Sequence, residues 1–185
     1  MSISLQADPS LAQGYIKVNG TTAATFTTSG ITLPSGGAVT FPDGTTQTSG
    51  KGPAFSAYQS SAQTLSASTW TKIQLQTKEF DTNSNFDAST NYRFTPTIAG
   101  YYQINGGVAV SATATQVIAA IYKNGSVAKQ GGFNQASGVL SAVAAVVYMN
   151  GSTDYVEFYS NVSAAQALAA GSTVTYFQGF LARPA

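Results

Sequence analysis

Oxygen-bearing side chains recur at every second position between residues 81 and 87, a spacing that can place several ligands around one cation. The four residues are Asp81, Asn83, Asn85 and Asp87. Carboxylate and amide oxygens are the ligands that Ca²⁺ prefers. The standard twelve-residue calcium loop needs Gly at its sixth position and Glu at its twelfth, where this chain has Phe86 and Tyr92. The four residues are therefore candidate ligands of a looser calcium site, and the alternative is a loop whose side chains cap its own backbone.

Two pairs of carboxylates lie close together in the sequence, Glu79 with Asp81 and Asp154 with Glu157. A glycoside hydrolase places two carboxyl groups at a set separation across a sugar. Neither pair is accompanied by a sequence signature of a cleft, so a polysaccharide depolymerase is only an alternative. Strand alternation places Glu157 on one face with two tyrosines, which predicts a carboxylate that faces solvent or an interface.

Composition excludes several classes of site. The chain contains no Cys and no His, which rules out disulfides, thiol nucleophiles, Ser-His-Asp triads and His-ligated metals. A net charge of +1 provides no electrostatic footprint for nucleic acid. The longest apolar stretch, 139–149, is too short to span a membrane, and the first residues lack the features of a signal peptide. We therefore expect a protein that is not an enzyme and that has no cofactor, no nucleic acid partner and no membrane insertion. We also expect it to be synthesised in the cytoplasm.

Trp70 is the single tryptophan of the chain. Aromatic rings stack on the faces of sugars, so an exposed Trp70 is a candidate glycan contact. Packing in a core or an interface is the commoner role of tryptophan and is the alternative.

The elements that must hold these residues fall into two regions, 1–52 and 53–185. The first is rich in Thr and Gly, and its short apolar islands alternate with turn formers. Strands this short cannot bury a core alone. The region is therefore either disordered or a β-rich stalk that pairs with copies of itself, and the apolar residues Phe26, Ile31, Leu33 and Phe41 favour the stalk.

The second region carries the patterns of an antiparallel β-sandwich. Apolar residues alternate over 100–110, and Asn124-Gly125 between two apolar runs predicts a tight hairpin. Asn150-Gly151 predicts a second turn, and 173–181 a last strand. Many short strands at such spacing are typical of a sandwich or jelly roll, so the fold class is all-β.

Three segments are rich in small apolar residues. We predict a strand for 139–149 in spite of its alanines, and a loop with one helical turn for 164–170. The runs 117–122 and 139–147 are apolar on both strand faces, whereas a sandwich strand normally keeps one face polar. A second copy of the chain is the expected cover, and tolerance of exposed alanines is the alternative.

The segment 92–102 resembles the complement C1q-like globular domain, a relative of the tumour necrosis factor jelly roll. Phe94, Gly100 and Tyr102 have the spacing of that family's signature, and 53–57, 151–156 and 177–181 follow in the family's order. Ile104 and Gly106 depart from it. The resemblance implies a homotrimer with a jelly-roll head over 53–185. Eight apolar residues are assigned to the core or the trimer interface: Phe55, Tyr102, Ile104, Val108, Val143, Val147, Phe177 and Phe180.

The first region is similar to linker segments of bacteriophage tail fibres. Gly30-Ile31-Thr32 is followed by Val39-Thr40 and by the string Phe-Pro-Asp-Gly-Thr-Thr-Gln-Thr at 41–48. This similarity implies that 1–52 attaches the chain to other virion proteins.

The two resemblances together imply a bacteriophage virion appendage, a tail fibre or receptor-binding protein, whose trimeric head adheres to a host surface glycan or protein. Contacts are expected from the loops 81–91, 112–116, 133–138 and 161–172. A capsid-decorating or head-fibre protein is the first alternative and a depolymerase the second. A cellular C1q-like ligand is a third alternative, for which a signal peptide is missing.

Overall fold

A computed structural model describes residues 3–8, 13–19, 21–27, 30–34, 39–40, 42, 46–47, 52–111, 116–132 and 140–185. These ranges contain strands and turns but no helix, and so no helix that could cross a membrane. The chain divides into two compact units, Met1–Lys51 and Gly52–Ala185. The strands of the first unit are β1 (Ile3–Asp8), β2 (Gln13–Val18), β3 (Thr21–Thr27), β4 (Gly30–Thr32), β5 (Val39–Thr40) and β6 (Thr46–Gln47).

The first unit is built around an antiparallel four-stranded sheet in which β1 to β4 follow one another in chain order. Register pairs Ile3 with Val18, Ile16 with Ala24 and Phe26 with Ile31, so apolar residues share one face. The residues of this apolar side are Ile3, Ile16, Val18, Ala24, Phe26 and Ile31. The opposite side pairs Tyr15 with Thr25 and Thr25 with Thr32. Short strands fall on the predicted apolar islands, whereas β1 was not anticipated, and Phe41 lies outside the described residues.

The described residues of the second unit form thirteen strands. They are β7 (Ala54–Tyr58), β8 (Thr64–Leu65), β9 (Thr71–Lys72), β10 (Thr77–Asp81), β11 (Phe86–Asp87), β12 (Arg93–Phe94), β13 (Gly100–Ala109), β14 (Val117–Lys123), β15 (Ser126–Gln130), β16 (Leu140–Met149), β17 (Val156–Val162), β18 (Gln166–Ala167) and β19 (Tyr176–Pro184). Two antiparallel sheets face each other. The five-stranded sheet has the order β10-β7-β19-β13-β16, and the six-stranded sheet has the order β11-β12-β17-β14-β15 with β9 also paired to β17.

Several local predictions are confirmed. The alternating segment from Gly100 forms β13, and the alanine-rich segment 140–149 is the strand β16 rather than a helix. The Asn124-Gly125 turn joins β14 to β15 with positive φ at both residues, 51° and 79°. This conformation gives a two-residue hairpin the twist of its strands. The loop 164–170 lacks the helical turn that the sequence predicted, and its residues Gln166 and Ala167 form β18, which pairs with β8.

Aromatic rings fill the core between the two sheets. The Phe55 ring lies 4.3 Å from that of Phe94, 5.1 Å from Phe86 and 5.3 Å from Phe177, measured between centroids. The departure of Gly106 from the family signature has a steric cause, since a Cβ there would approach the Phe158 ring to 2.5 Å. Burial of these rings is a main source of the stability of the sandwich.

The eight residues assigned to the core or the trimer interface differ in their exposure within the protomer. Seven are buried: Phe55, Tyr102, Ile104, Val108, Val143, Val147 and Phe177. Phe180 is 50% exposed on the outer side of the five-stranded sheet. Strand β14 also corrects an expectation, because Ile118, Ala120 and Tyr122 on its outer side are already buried within the protomer and need no second copy to cover them.

Candidate functional surfaces

The outer side of the five-stranded sheet carries a set of exposed apolar side chains, which we call the apolar face. Its members are Phe80, Tyr101, Leu140, Val146, Tyr148 and Phe180, each between 37% and 56% exposed. Register brings four of them together, since Tyr101 pairs with Tyr148, and Gln103 pairs with both Val146 and Phe180. Phe80 lies on the opposite edge strand β10, and Leu140 at the start of β16. Strand β16 alternates between exposed and covered residues, with Ala145 only partly buried on the inner side. Contiguous exposed apolar residues of this kind mark contacts.

The centre of this sheet side is polar but internally bonded. The Ser56 hydroxyl donates to Glu79 Oε2 at 2.6 Å, and Gln103 Nε2 donates to Asn105 Oδ1 at 2.9 Å. Ser56 and Asn105 both pair with Gln178, so these groups lie in one row across the sheet. The carboxylate of Glu79 therefore has a structural partner. Polar groups already satisfied in this way can be covered by another subunit at little cost.

The outer side of the six-stranded sheet carries four aromatic side chains, Trp70, Tyr122, Tyr155 and Tyr159, which we call the aromatic cluster. The Tyr122 and Tyr159 rings stack with centroids 3.9 Å apart, and Trp70 lies 6.0 Å from Tyr122. Trp70, Tyr155 and Tyr159 are only half-buried. Tyr155 is held by the hairpin turn, because its N–H donates to Asn124 Oδ1 at 3.0 Å. Trp70 therefore lies at the protein surface and not in the central core.

An ion pair lies within the aromatic cluster. Glu157 is 4% exposed, and its Oε1 lies 2.6 Å from Lys72 Nζ. The expectation was a carboxylate that faces solvent or an interface. Alternation gave the right sheet side, but neighbouring side chains cover the carboxylate, so it does not face solvent. Burial, followed by the negative charge of Glu157, raises the pKa of Tyr159 to about 12. Tyr159 is thus neutral at physiological pH.

Arg93 is the second cation on this side. Its two cross-strand neighbours in the register, Asp87 and Glu157, are acidic, but neither forms an ion pair with it. Its guanidinium carbon lies 4.3 Å from the Tyr155 ring centroid, a cation–π contact. Among the residues that the structure describes, its guanidinium makes no hydrogen bond and no ion pair. Sequence analysis missed Arg93, Lys72 and Tyr122 as site residues. Only the pairing of β12, β9 and β14 around β17 brings them together, and that pairing has no local signal.

The candidate calcium ligands act as caps of their own loop. Asp81 accepts hydrogen bonds from the backbone N–H groups of Asn85 and Phe86 at 2.9 and 3.0 Å and pairs with Lys78 at 3.1 Å. Asp87 accepts from the N–H groups of the residues that follow it, and these donors hold its pKa well below the usual range. The amide oxygen of Asn85 is buried, and that of Asn83 accepts from the Thr82 hydroxyl.

Both Asp carboxylates thus have partners within the loop, Asp81 from two N–H groups and the Lys78 ammonium, and Asp87 from the N–H groups that follow it. A carboxylate has further acceptor sites beside such bonds, so the calcium site stays a prediction. Within the described parts of the chain, no three acidic, His or Cys side chains come together as a metal cluster. Asn83 and Asn85 help to hold the loop in shape, because Asn85 Nδ2 donates to the carbonyl of Asn83 and the Thr82 hydroxyl donates to Asn83 Oδ1.

The other carboxylate pair is also engaged in structure. Asp154 pairs with Lys123 at 2.9 Å, and its other oxygen accepts from Asn124 Nδ2 at 2.8 Å. These donors lower the pKa of Asp154. Asp154 thereby connects the hairpin turn to the turn that begins at Asn150, whose N–H also donates to it. The two carboxylates pair with different lysines on different parts of the sheet, an arrangement unlike that of a hydrolase acid and nucleophile.

Two of the expected contact loops are described by the structure, 81–91 and 161–172. The first is the capped loop above, and the second contains the short pair β18–β8. The loop 133–138 and residues 112–115 lie outside the described residues.

Comparison with known proteins identifies the fold. No protein-family model and no curated protein matches the sequence. The globular domain of zebrafish complement 1qA is similar at 16% identity, covering 73% of this chain and 100% of that chain with a TM-score of 0.56. Murine APRIL is similar at 11% identity, covering 71% and 99%, with a TM-score of 0.58. The vertex protein P5 of PRD1 is similar at 16% identity, covering 73% and 100%, with a TM-score of 0.57.

The share of the chain covered by these matches, 71–73%, is about that of the second unit, 134 of 185 residues, and the linker similarity of the first region stays a prediction. At such low identity, similarity extends to the fold alone. Together with the sheet order and the all-β content, they establish that the chain carries a jelly-roll sandwich of the C1q and tumour necrosis factor type.

Proposed function

We propose that this protein is a homotrimeric appendage of a bacteriophage virion whose head adheres to a structure on the host cell surface. The apolar face carries the assembly part of this proposal. Six large apolar side chains lie exposed on one sheet side, and a protein of this size has few other ways to cover them. A closed threefold arrangement buries the face of each protomer against its neighbours and leaves no open end.

The first unit supports the same assembly. Its four-stranded sheet collects Ile3, Phe26 and Ile31 on one side, where they are 63%, 37% and 65% exposed. A single-layer sheet must cover its apolar side with another element. Three copies of the sheet packed through these sides form a β-rich stalk, and residues 1–52 then attach the trimer to other virion proteins.

A virion location is supported by the similarity to the PRD1 vertex protein, which shows that this fold serves in a virus particle. The same observation favours a second candidate function, a capsid-decorating or head-fibre protein with a structural role. Adhesion is favoured by the outer side of the six-stranded sheet, because a half-buried tryptophan, two half-buried tyrosines and an unpaired arginine lie together there. A structural decoration has no need of such a surface.

Three linked heads convert weak contacts into avidity of roughly 10²–10⁴ over a single site. The host partner is proposed to be a surface glycan or protein. No hydrolysis is proposed, because each carboxylate of the two close pairs has a partner within the fold.

The test is a binding assay with fluorescently labelled full-length protein on host cells, with the same protein carrying Val146→Lys as the unassembled control. We expect saturable binding of the wild-type chain and a large loss of avidity in the variant. Incorporation of the chain into virions without any binding to cells favours the structural role instead. Release of reducing ends from host polysaccharide indicates a depolymerase.

A further inference from the structure

We infer that the aromatic cluster and Arg93 form a binding site for an acidic saccharide, with Arg93 contacting the carboxylate of a hexuronate unit. This inference rests on the proposed adhesion function and names the class of ligand. It follows from three features of the outer side of the six-stranded sheet: aromatic rings, a neutralised ion pair and an unpaired cation.

The aromatic rings provide the surface on which a sugar ring can stack. Trp70 is half-buried, with its ring 6.0 Å from that of Tyr122, and Tyr122 in turn stacks on Tyr159. The Tyr122 and Tyr159 rings therefore support the inner side of the Trp70 ring, and its exposed part remains available to stack on a sugar. The indole N–H has no hydrogen-bond partner among the described residues and can donate to a hydroxyl. Rigid aromatic side chains lose little entropy when they bind, which suits them to weak, repeated contacts.

The ion pair within the cluster sets the polarity of the site. Glu157 and Lys72 neutralise each other at 2.6 Å, and Lys72 Nζ also donates to the carbonyl of Asn91 at 3.3 Å. Glu157 is almost wholly covered, so it offers no free negative charge to a cationic ligand. The net charge of these two residues is zero. Asp87 pairs with Arg93 in the register, but its carboxylate accepts from the backbone N–H groups of Ser89, Thr90 and Asn91, so its oxygens are engaged within its own loop while the guanidinium donors of Arg93 remain open.

Arg93 has guanidinium donors that are open to an anionic ligand. The tyrosine beneath it orients the guanidinium plane, at 4.3 Å from the ring centroid. A planar guanidinium presents paired N–H donors that match a carboxylate in bidentate fashion. No described residue accepts from these donors. An incoming carboxylate can therefore bind without displacing an existing partner.

The spacing of the two features suits a short oligosaccharide. Arg93 pairs with Glu157, and Glu157 pairs with Tyr122, so these residues lie in one row across three strands. Neighbouring strands are about 4.8 Å apart, which separates the backbones of Arg93 and Tyr122 by about 10 Å. A chain of two sugar units can thus place its carboxylate on Arg93 and its other ring on the aromatic side chains.

The experiment uses the fluorescence of Trp70, the single tryptophan of the chain, which reports directly from the site. Full-length protein is titrated with digalacturonate, with a glucuronate-containing disaccharide, and with the neutral galactobiose. Charge-assisted hydrogen bonds contribute about tenfold to a hundredfold in affinity. We expect a saturable change in Trp70 emission with at least one uronate, about tenfold or more tighter than with galactobiose.

Arg93→Gln is expected to lower the affinity for the uronate about tenfold or more and to leave the affinity for galactobiose unchanged. Arg93→Lys, which keeps the charge but not the paired donors, is expected to give an intermediate loss. Arg183→Gln is the matched control, since Arg183 is the other arginine of the chain and is exposed on the other sheet. Thermal melts of all variants verify that they are folded.

Three results overturn the inference: no saturable signal with either uronate, equal affinity for acidic and neutral disaccharides, or equal losses in Arg93→Gln and Arg183→Gln. The same proteins applied to host cells separate this inference from the proposed function. Equal cell binding by wild type and Arg93→Gln overturns the site and leaves adhesion standing. Uronate binding through Arg93 without cell binding leaves the site standing and overturns adhesion.

Discussion

Substitution of Val146 by lysine tests whether the apolar face is an interface. The Val146 side chain is 56% exposed in the protomer. Full burial of a valine is worth about 1.5–3 kcal/mol, so covering the exposed part stabilises a trimer by about 1 kcal/mol per subunit. Lysine loses this contribution and brings a charge that is costly to bury. Over three subunits the loss is at least about 3 kcal/mol, which weakens association at least about 100-fold.

The assay is sedimentation velocity of full-length Val146→Lys over a range of micromolar concentrations. Val127→Lys is the matched control, because Val127 is 45% exposed but lies on β15 at the edge of the other sheet. We expect the mass of Val146→Lys to fall with dilution while Val127→Lys behaves as wild type. Equal behaviour of the two variants would refute the assignment of the interface to the apolar face.

Three further predictions concern the fold of the head. Gly106→Ala places a methyl group 2.5 Å from the Phe158 ring and is expected to lower the free energy of unfolding in urea by about 1–3 kcal/mol. Gly132→Ala is expected to be nearly neutral, because no atom of the described residues lies within 4 Å of the added methyl group. Burial raises the pKa of Tyr102 to about 12, so the unfolded chain loses the phenol proton at a lower pH than the folded chain. The free energy of unfolding should therefore fall as pH rises from about 10 to 12, and Tyr102→Phe should flatten that part of the stability–pH profile. The pKa of Asp154 is lowered by its donors, so stability should fall as pH drops below about 4, and Asp154→Asn should be less stable at pH 7 but lose less on acidification.

Sequence reasoning succeeded where the signal is local. Alternation over two residues identified β13, and the Asn124-Gly125 pair identified its hairpin, because a turn with two positive φ angles admits few residue types. The strand β16 was identified in spite of its alanines, since β-branched residues and a following turn outweighed helix propensity.

It failed where the answer depends on distant pairing. Alternation could place Glu157 on the outer sheet side, but only the approach of Lys72 and the aromatic rings explains why it is buried. Two apolar sides on β14 were interpreted as an oligomer contact, whereas neighbouring strands cover them within the protomer.

The aromatic cluster shows the same limit. Trp70 was singled out by its type, but its site depends on Tyr122 and Arg93, which come from strands far away in the chain. Pairwise register is a property of the folded sheet, and no local pattern in the sequence contains it.

Sedimentation equilibrium of the unmodified full-length protein tests the central claim most directly. Three chains of 19.0 kDa give a particle of about 57 kDa, which the account predicts at micromolar concentration. A single species of 19.0 kDa at every concentration, with the apolar face in contact with water, would contradict it.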